Sequence, residues 1–257
     1  MRFAAALCST LALSAVLLAD DKVGKTPAPQ LLTRCTQDLR KQPGYHFKYS
    51  GSVGEQSLET AGVAWQSGLV KQTAGDGLEI WRREKAAFAK DKSGRYVGAA
   101  SQGEQAQAIV NSPTPDGLLG EALSVAKVAR YVQDEQADGV DCKVIECQAP
   151  EAKLRDYMEQ AAKYWRPEYA KYAKNLQLDK DESYMIYRVF VGKEDLVIRR
   201  IVRDTKIKVA DSVLKSMPQL EMAAGGMSQV LTVELSRHGE VAEEVIPDEI
   251  KKLLQVK

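Results

Sequence analysis

Short stretches in which apolar and polar side chains alternate, cut by tight turn signals, constrain this chain more than any other feature. Tyr45, Phe47, Tyr49 and Val53 fall on one face of an extended segment, and His46, Lys48, Ser50 and Ser52 fall on the other. Ala61, Val63 and Trp65 are expected to begin a second strand. Gly75-Asp76-Gly77 marks a turn before Leu78-Glu79-Ile80-Trp81, and Ala86 to Ala89 is followed by a turn at Lys90 to Gly94. Strands this short, joined by connections this tight, pair antiparallel. Later segments repeat the pattern. Arg130 to Asp134 and Val140 to Cys147 flank Ala137-Asp138-Gly139, and Ser183 to Val191 and Leu196 to Arg203 flank Gly192 to Asp195. Leu231, Val233 and Leu235 alternate in a last strand.

Helical spacing appears in fewer places. Leu31, Leu32, Cys35 and Leu39 recur along one stripe, and Pro43-Gly44 ends that element. Glu104 to Ile109 is weakly helical, Pro113 to Gly117 reads as a break, and Leu118 to Ala129 is helical or irregular. After Pro150, the residues Leu154, Tyr157, Met158, Ala161, Ala162 and Trp165 form one apolar stripe, and a second follows Pro167. Because strands resume afterwards, residues 151–179 read as a helical insertion in a single domain spanning 20–257. Asp211 to Glu221 reads as a short helix or a loop. Pro247 opens a last helix whose acids come early and lysines late, the order a helix dipole favours.

The N-terminus reads as an export signal. Arg2 precedes an apolar run from Phe3 to Leu18, and a small residue, Ala19, precedes an acidic start, so cleavage is expected near Ala19. The run is shorter than the ~20 residues a spanning helix needs, which weighs against a retained anchor. A location in the periplasm or outside the cell follows. Thirty-six basic and 35 acidic residues nearly cancel, which gives no nucleic-acid footprint.

Reaction chemistry has little to build on. The chain holds two histidines, His46 and His238, and neither has a partner at metal-ligand spacing. It carries no Cys-x-x-Cys, no His-Glu-x-x-His, no Gly-x-Ser-x-Gly and no phosphate loop. No catalytic residue, metal site or cofactor is therefore assigned. Cys35, Cys142 and Cys147 follow the leader. Cys142 and Cys147 point to opposite faces of one strand. With Val140, Cys142 and Val144 taken as the core face, a Cys35–Cys142 disulfide is one expectation. Three buried thiols is the other. Arg199, Arg200 and Arg203 form a basic cluster, with Arg199 and Arg203 on one face and Arg200 on the other beside Leu196, Ile198 and Val202. A solvated strand surface is the plain account of it; contact with a lipid phosphate or an acidic partner is the functional one.

The order of elements resembles the LolA-like lipoprotein-carrier fold, with the LppX/LprG lipoproteins and the amino-terminal domain of RseB-type regulators among its relatives. Three stretches carry the likeness: Tyr45 to Gly51 after the first helix, Asp138 to Glu146 as the Asp-Gly-x-x-Cys hairpin, and Ile198 to Asp204 followed by Val230 to Glu234 and Ile246-Pro247. The resemblance implies an α+β fold: a strongly curved antiparallel sheet, an open half-barrel, with helices covering its concave face. The insertion at 151–179 is longer than a typical carrier has there. The resemblance also implies a non-enzymatic protein that binds a lipid or lipoprotein acyl chain in the concavity. It brings no catalytic residues. Phe47, Tyr49, Trp65, Tyr157, Met158 and Trp165 are the candidate lining residues, with close-packed core as the alternative for each. Expected partners are the acyl chain itself and a membrane-associated protein, with peripheral membrane contact at most and no nucleic acid. An interaction or sensory module of RseB type, with a filled core, is the alternative function.

Overall fold

The computed structural model of the chain describes residues 25–53, 56–165, 177–216, 227–241 and 245–256. The proposed leader and its cleavage site, and the second helical stripe after Pro167, lie outside the described residues.

The first helix, α1 (Ala28–Lys41), buries Leu31, Leu32, Cys35 and Leu39, the stripe expected from spacing. It ends where Gln42 turns to extended backbone ahead of Pro43. Strands β1 (Gly44–Val53), β2 (Gln56–Trp65), β3 (Leu69–Ala74), β4 (Glu79–Arg83), β5 (Ala86–Lys90) and β6 (Tyr96–Gly98) follow as an antiparallel meander. Helices α2 (Glu104–Asn111) and α3 (Pro115–Ser124) come next, then β7 (Arg130–Tyr131), β8 (Glu135–Ala137), β9 (Val140–Gln148) and α4 (Glu151–Trp165). The chain continues with β10 (Tyr184–Gly192), β11 (Ile198–Ile207), α5 (Asp211–Ser216), β12 (Met227–Ser236) and α6 (Asp248–Leu253).

The twelve strands among the described residues join one antiparallel sheet in the order β6-β5-β4-β3-β2-β1-β12-β11-β10-β9-β7, with β8 also on β9. Its terminal strands do not pair with each other, so the sheet is an open, curved α+β architecture. The strands before and after α4 are neighbours, because β9 pairs with β10.

Strand register sorts every side chain to one of two faces. On the inner face, Phe47 lies opposite Leu235 and Tyr49 opposite Val233, and Val233 faces Ile201 in turn. These residues pack with α1, with Leu118, Leu119 and Ala122 of α3, and with Leu154 and Met158 of α4 in one core. A smaller core joins Ala74, Ile80 and Ala89 to Ala106 and Ile109 of α2. On the outer face, α6 seats Ile250 and Leu254 against Leu69 and Trp81. Arg83 clasps this tail by donating to the carbonyls of Leu254 at 3.1 Å and Gln255 at 2.8 Å.

The structure departs from the sequence reading at several points. Ala61, Val63 and Trp65 end β2 rather than begin it. The expected break at Pro113 to Gly117 is instead the start of α3. Pro115 takes a first-turn position, where its missing N–H is not needed, and the Thr114 hydroxyl accepts from the Gly117 N–H at 3.0 Å. Arg130 to Asp134 shortens to the two residues of β7. The turn at Asp138-Gly139 is as expected: both residues have positive φ, 52° and 72°, and Ala137 pairs with Val140. In the β10–β11 hairpin, Phe190 pairs with Arg200 and Val191 with Ile198, so a bulge absorbs Arg199. That bulge breaks the expected alternation. Ile198, Ile201 and Arg203 all become inner-face residues, while Arg200 and Val202 turn outward.

Phe47 depends on a glycine across the strand pair. Gly62 is its partner, and a Cβ there would stand 2.5 Å from the Phe47 ring and 2.2 Å from the Lys71 carbonyl. Because the carbonyl belongs to the backbone, the clash cannot be relieved by a rotamer change. Gly62→Ala is expected to destabilise the fold by about 3 kcal/mol, the upper range for overpacking, measured by urea denaturation.

Candidate functional site

A cavity of about 550 Å³ opens on the inner face beneath α2 and α4. Its wall is built from four strands, three helices and the turn after α2. Tyr49 and Gly51 come from β1, and Ser57 and Leu58 from β2. Gln107, Ala108 and Asn111 come from α2, and Ser112 and Pro113 from the turn after it. Glu121 comes from α3, Tyr157 and Gln160 from α4, and Arg203, Gln229 and Leu231 from β11 and β12. Gly51 helps keep the space clear, since a Cβ there would reach to 2.7 Å from Leu231 Cδ2.

Arg203 is the centre of a buried polar cluster at this wall and is only 4% exposed. Its Nη1 pairs with Glu121 Oε2 at 2.8 Å, and its Nη2 donates to Gln229 Oε1 at 2.9 Å. The Tyr157 hydroxyl donates to the same Gln229 oxygen at 2.5 Å, and the guanidinium lies 4.9 Å from the Tyr157 ring centre. The Tyr187 hydroxyl donates to Glu121 at 3.1 Å. Burial lowers the Arg203 pKa, but the Glu121 carboxylate together with Tyr157 and Tyr187 more than offsets it and holds the group above the ordinary arginine value. This cluster ties α3 and α4 to three strands of the sheet.

Arg82 is a second buried guanidinium on the same face, 3% exposed. Its Nη1 donates to the carbonyls of Ile109 at 3.0 Å and Ser112 at 2.8 Å, at the C-terminal end of α2. These carbonyls lie at the end of the helix, where a cation suits the dipole. Burial pushes its pKa down to about 10. Arg82 thus fixes α2 over the sheet.

The sequence-named lining residues divide. Tyr49 and Tyr157 line the cavity. Phe47 and Met158 are buried core, packed with α1 and α3. Trp65 is a correction: it projects from the outer face, stacks on Trp81 at 5.8 Å between ring centres, and packs under α6. Its position follows from register, because it pairs with Gly44 on the face opposite Tyr45 and Ala64. Trp165 ends α4, and its side chain lies outside the described residues.

The proposed Cys35–Cys142 bridge is also corrected. Both residues are free, as is Cys147. Cys142 belongs to an outer-face cluster with Ala137, Val144 and Phe190, whereas Cys35 and Cys147 belong to the inner core. The apolar face of Val140, Cys142 and Val144 is real, but it packs on the outside with Ala137, Phe190 and Val202. Among the described residues, no group of three His, Cys, Asp or Glu comes together as a metal site, and no helix is long and apolar enough to cross a membrane.

Sequence reasoning missed Glu121 and Gln229, and named Arg203 only within a basic cluster with Arg199 and Arg200. Arg203 looked like part of a surface cluster because the bulge at Arg199 leaves no mark in the alternation. One signal was available: Arg203 and Thr205 sit between Ile201 and Ile207 at spacing two.

Solved structures similar to this chain include LprF from Mycobacterium bovis, at 12% identity over 87% of this chain and 99% of that one, with a TM-score of 0.43. The lipoprotein LppX of Mycobacterium tuberculosis is similar at 12% identity, over 86% and 99%, with a TM-score of 0.40. The MucA/MucB complex of Pseudomonas aeruginosa is similar at 10% identity, over 86% of this chain and 62% of that one, with a TM-score of 0.37. These neighbours are of the LppX/LprG and RseB kinds, the likenesses drawn from the sequence. No family model and no curated protein matches the chain.

Two expected outcomes follow from this chemistry. Burial pushes the Cys35 and Cys147 thiols up to about 11 and raises Cys142 as well. At pH 8 a thiol reagent should leave all three unlabelled in the folded protein and label all three in guanidinium. Burial also raises the hydroxyls of Tyr45, Tyr49, Tyr157 and Tyr187 above the ordinary tyrosine value. The unfolded chain therefore loses these protons first. Their contribution to stability is complete below about pH 10 and declines as pH rises further. Urea denaturation at successive alkaline pH values, with tyrosinate absorbance as a second readout, checks this.

Proposed function

We propose that this chain is an exported, non-enzymatic binding protein that holds the apolar part of a lipid, or a lipoprotein acyl group, in the cavity beneath α2 and α4. The observation that carries this reading is the cavity itself: a space between α2 and α4 on the inner face of an open sheet, with Leu58, Leu231, Pro113 and Tyr49 on its wall. Its volume lies within the ~300–1,000 Å³ of ordinary ligand pockets. Affinity would come from burial of methylenes at about 0.8 kcal/mol each. At the cavity α4 is held by Tyr157 together with the packing of Leu154 and Met158. A membrane-associated protein would deliver or receive the ligand.

A second reading, an interaction module with a filled interior, is favoured by the close packing of Phe47, Met158 and α1 in the main core. Native mass spectrometry of protein purified from its own host separates the two readings. A co-purifying lipid supports the first, and its absence at every preparation favours the second. A blocking variant sharpens the test. Ala108 is exposed on α2 and lines the cavity, so Ala108→Trp should leave the melting temperature within a few degrees of wild type. It should reduce bound lipid by at least about tenfold.

A further inference from the structure

The polar half of the cavity wall has its own selectivity. Gln107, Asn111 and Gln229 line the space; the amides of Gln107 and Asn111 can both donate and accept hydrogen bonds, while the Gln229 oxygen already accepts two and leaves its N–H groups to donate. The charged lining is Arg203, Glu104 and Glu121. The guanidinium of Arg203 is already neutralised by Glu121 at 2.8 Å. The other buried guanidinium on this face, Arg82, is directed to the carbonyls of α2. An entering carboxylate or phosphate would therefore find its cation occupied and two carboxylates at the wall. A hydroxyl group suffers neither penalty, because it can accept from an amide N–H and donate to an amide or carboxylate oxygen.

From this arrangement we infer that the cavity takes an amphiphile with an uncharged, hydroxyl-bearing head group, such as a sugar or a glycerol, and discriminates against carboxylate and phosphate heads. The inference rests on the proposed binding function and names its ligand class. The head would sit among Gln107, Asn111 and Gln229, with the chain toward Leu58 and Leu231. The Gln229 oxygen accepts from both Arg203 and Tyr157, and an incoming hydroxyl joins that network by accepting from the Gln229 amide N–H.

The test compares four amphiphiles with the same octyl chain length: octyl glucoside, monooctanoylglycerol, octanoate and octyl phosphate. Each is titrated calorimetrically into the mature chain below its micelle concentration, at one pH and one ionic strength. At least one neutral ligand should bind about tenfold more tightly than both anions, since an unmatched polar group at the wall is worth about that factor. Whichever neutral ligand binds more tightly identifies the source of the hydroxyls. The double variant Gln107→Leu/Asn111→Leu changes side chains exposed on α2, so it should keep the fold and shrink the preference to about threefold or less. Equal affinity for all four, or tighter binding of an anion, overturns the inference and leaves the binding function standing. A preference undiminished in the double variant also overturns it. If none of the four binds and Ala108→Trp has no effect on host-derived lipid, the binding function itself falls, and the inference with it.

Discussion

The antiparallel pairing of β1 with β12 is the contact on which the rest of the molecule depends. It joins the first strand of the described chain to the last, over eight residue pairs from His46–Ser236 to Val53–Gln229. The meander β2 to β6 extends from one side of this seam, and β11, β10, β9 and β7 extend from the other. Without it there would be two smaller sheets and no common inner face for α1 to cover. The seam also sets the cavity. Tyr49 and Gly51 on β1 and Gln229 and Leu231 on β12 reach the same space only because their register places them on one side. Contacts this distant in sequence carry a large loop-closure entropy, so the seam is expected to form late in folding.

Much of this architecture was legible in the sequence wherever alternation was undisturbed. Tyr45, Phe47 and Tyr49, and later Leu231, Val233 and Leu235, stand on the face their spacing assigned. The helix stripe of α1 and the two-residue turn at Asp138-Gly139 were equally plain. The failures have specific physical causes. A one-residue bulge at Arg199 reversed the face of everything after it, which hid Arg203 among apparent surface arginines. Pro115 was read as a breaker when a first-turn proline starts a helix. Trp65 and Cys142 are large or apolar residues on the outer face, where α6 and β8 form small satellite cores. Alternation identifies two faces but does not say that only one of them is buried.

The cavity was the least legible feature, because it is defined by what is missing as much as by what is present. Phe47 fills its part of the inner face by lying across Gly62, whereas Gly51 leaves room in front of Leu231. Two of the lining amides, Gln107 and Asn111, come from α2, which the sequence marked only weakly as helical. Glu121 and Arg203 are 82 residues apart in sequence, and no local pattern links them. Their pairing exists because α3 is laid over β11 by apolar contacts made elsewhere. The open sheet here holds a cavity whose wall mixes apolar side chains with amides and charges.

The tail clasp has a practical consequence. Arg83 fastens the backbone at Leu254 and Gln255 to the outer side of the sheet, while the opening beneath α2 and α4 lies on the inner side. A tether attached just beyond Val256 would leave the molecule facing away from its mouth. Protein immobilised on a sensor surface through that end would keep its entrance turned toward solution.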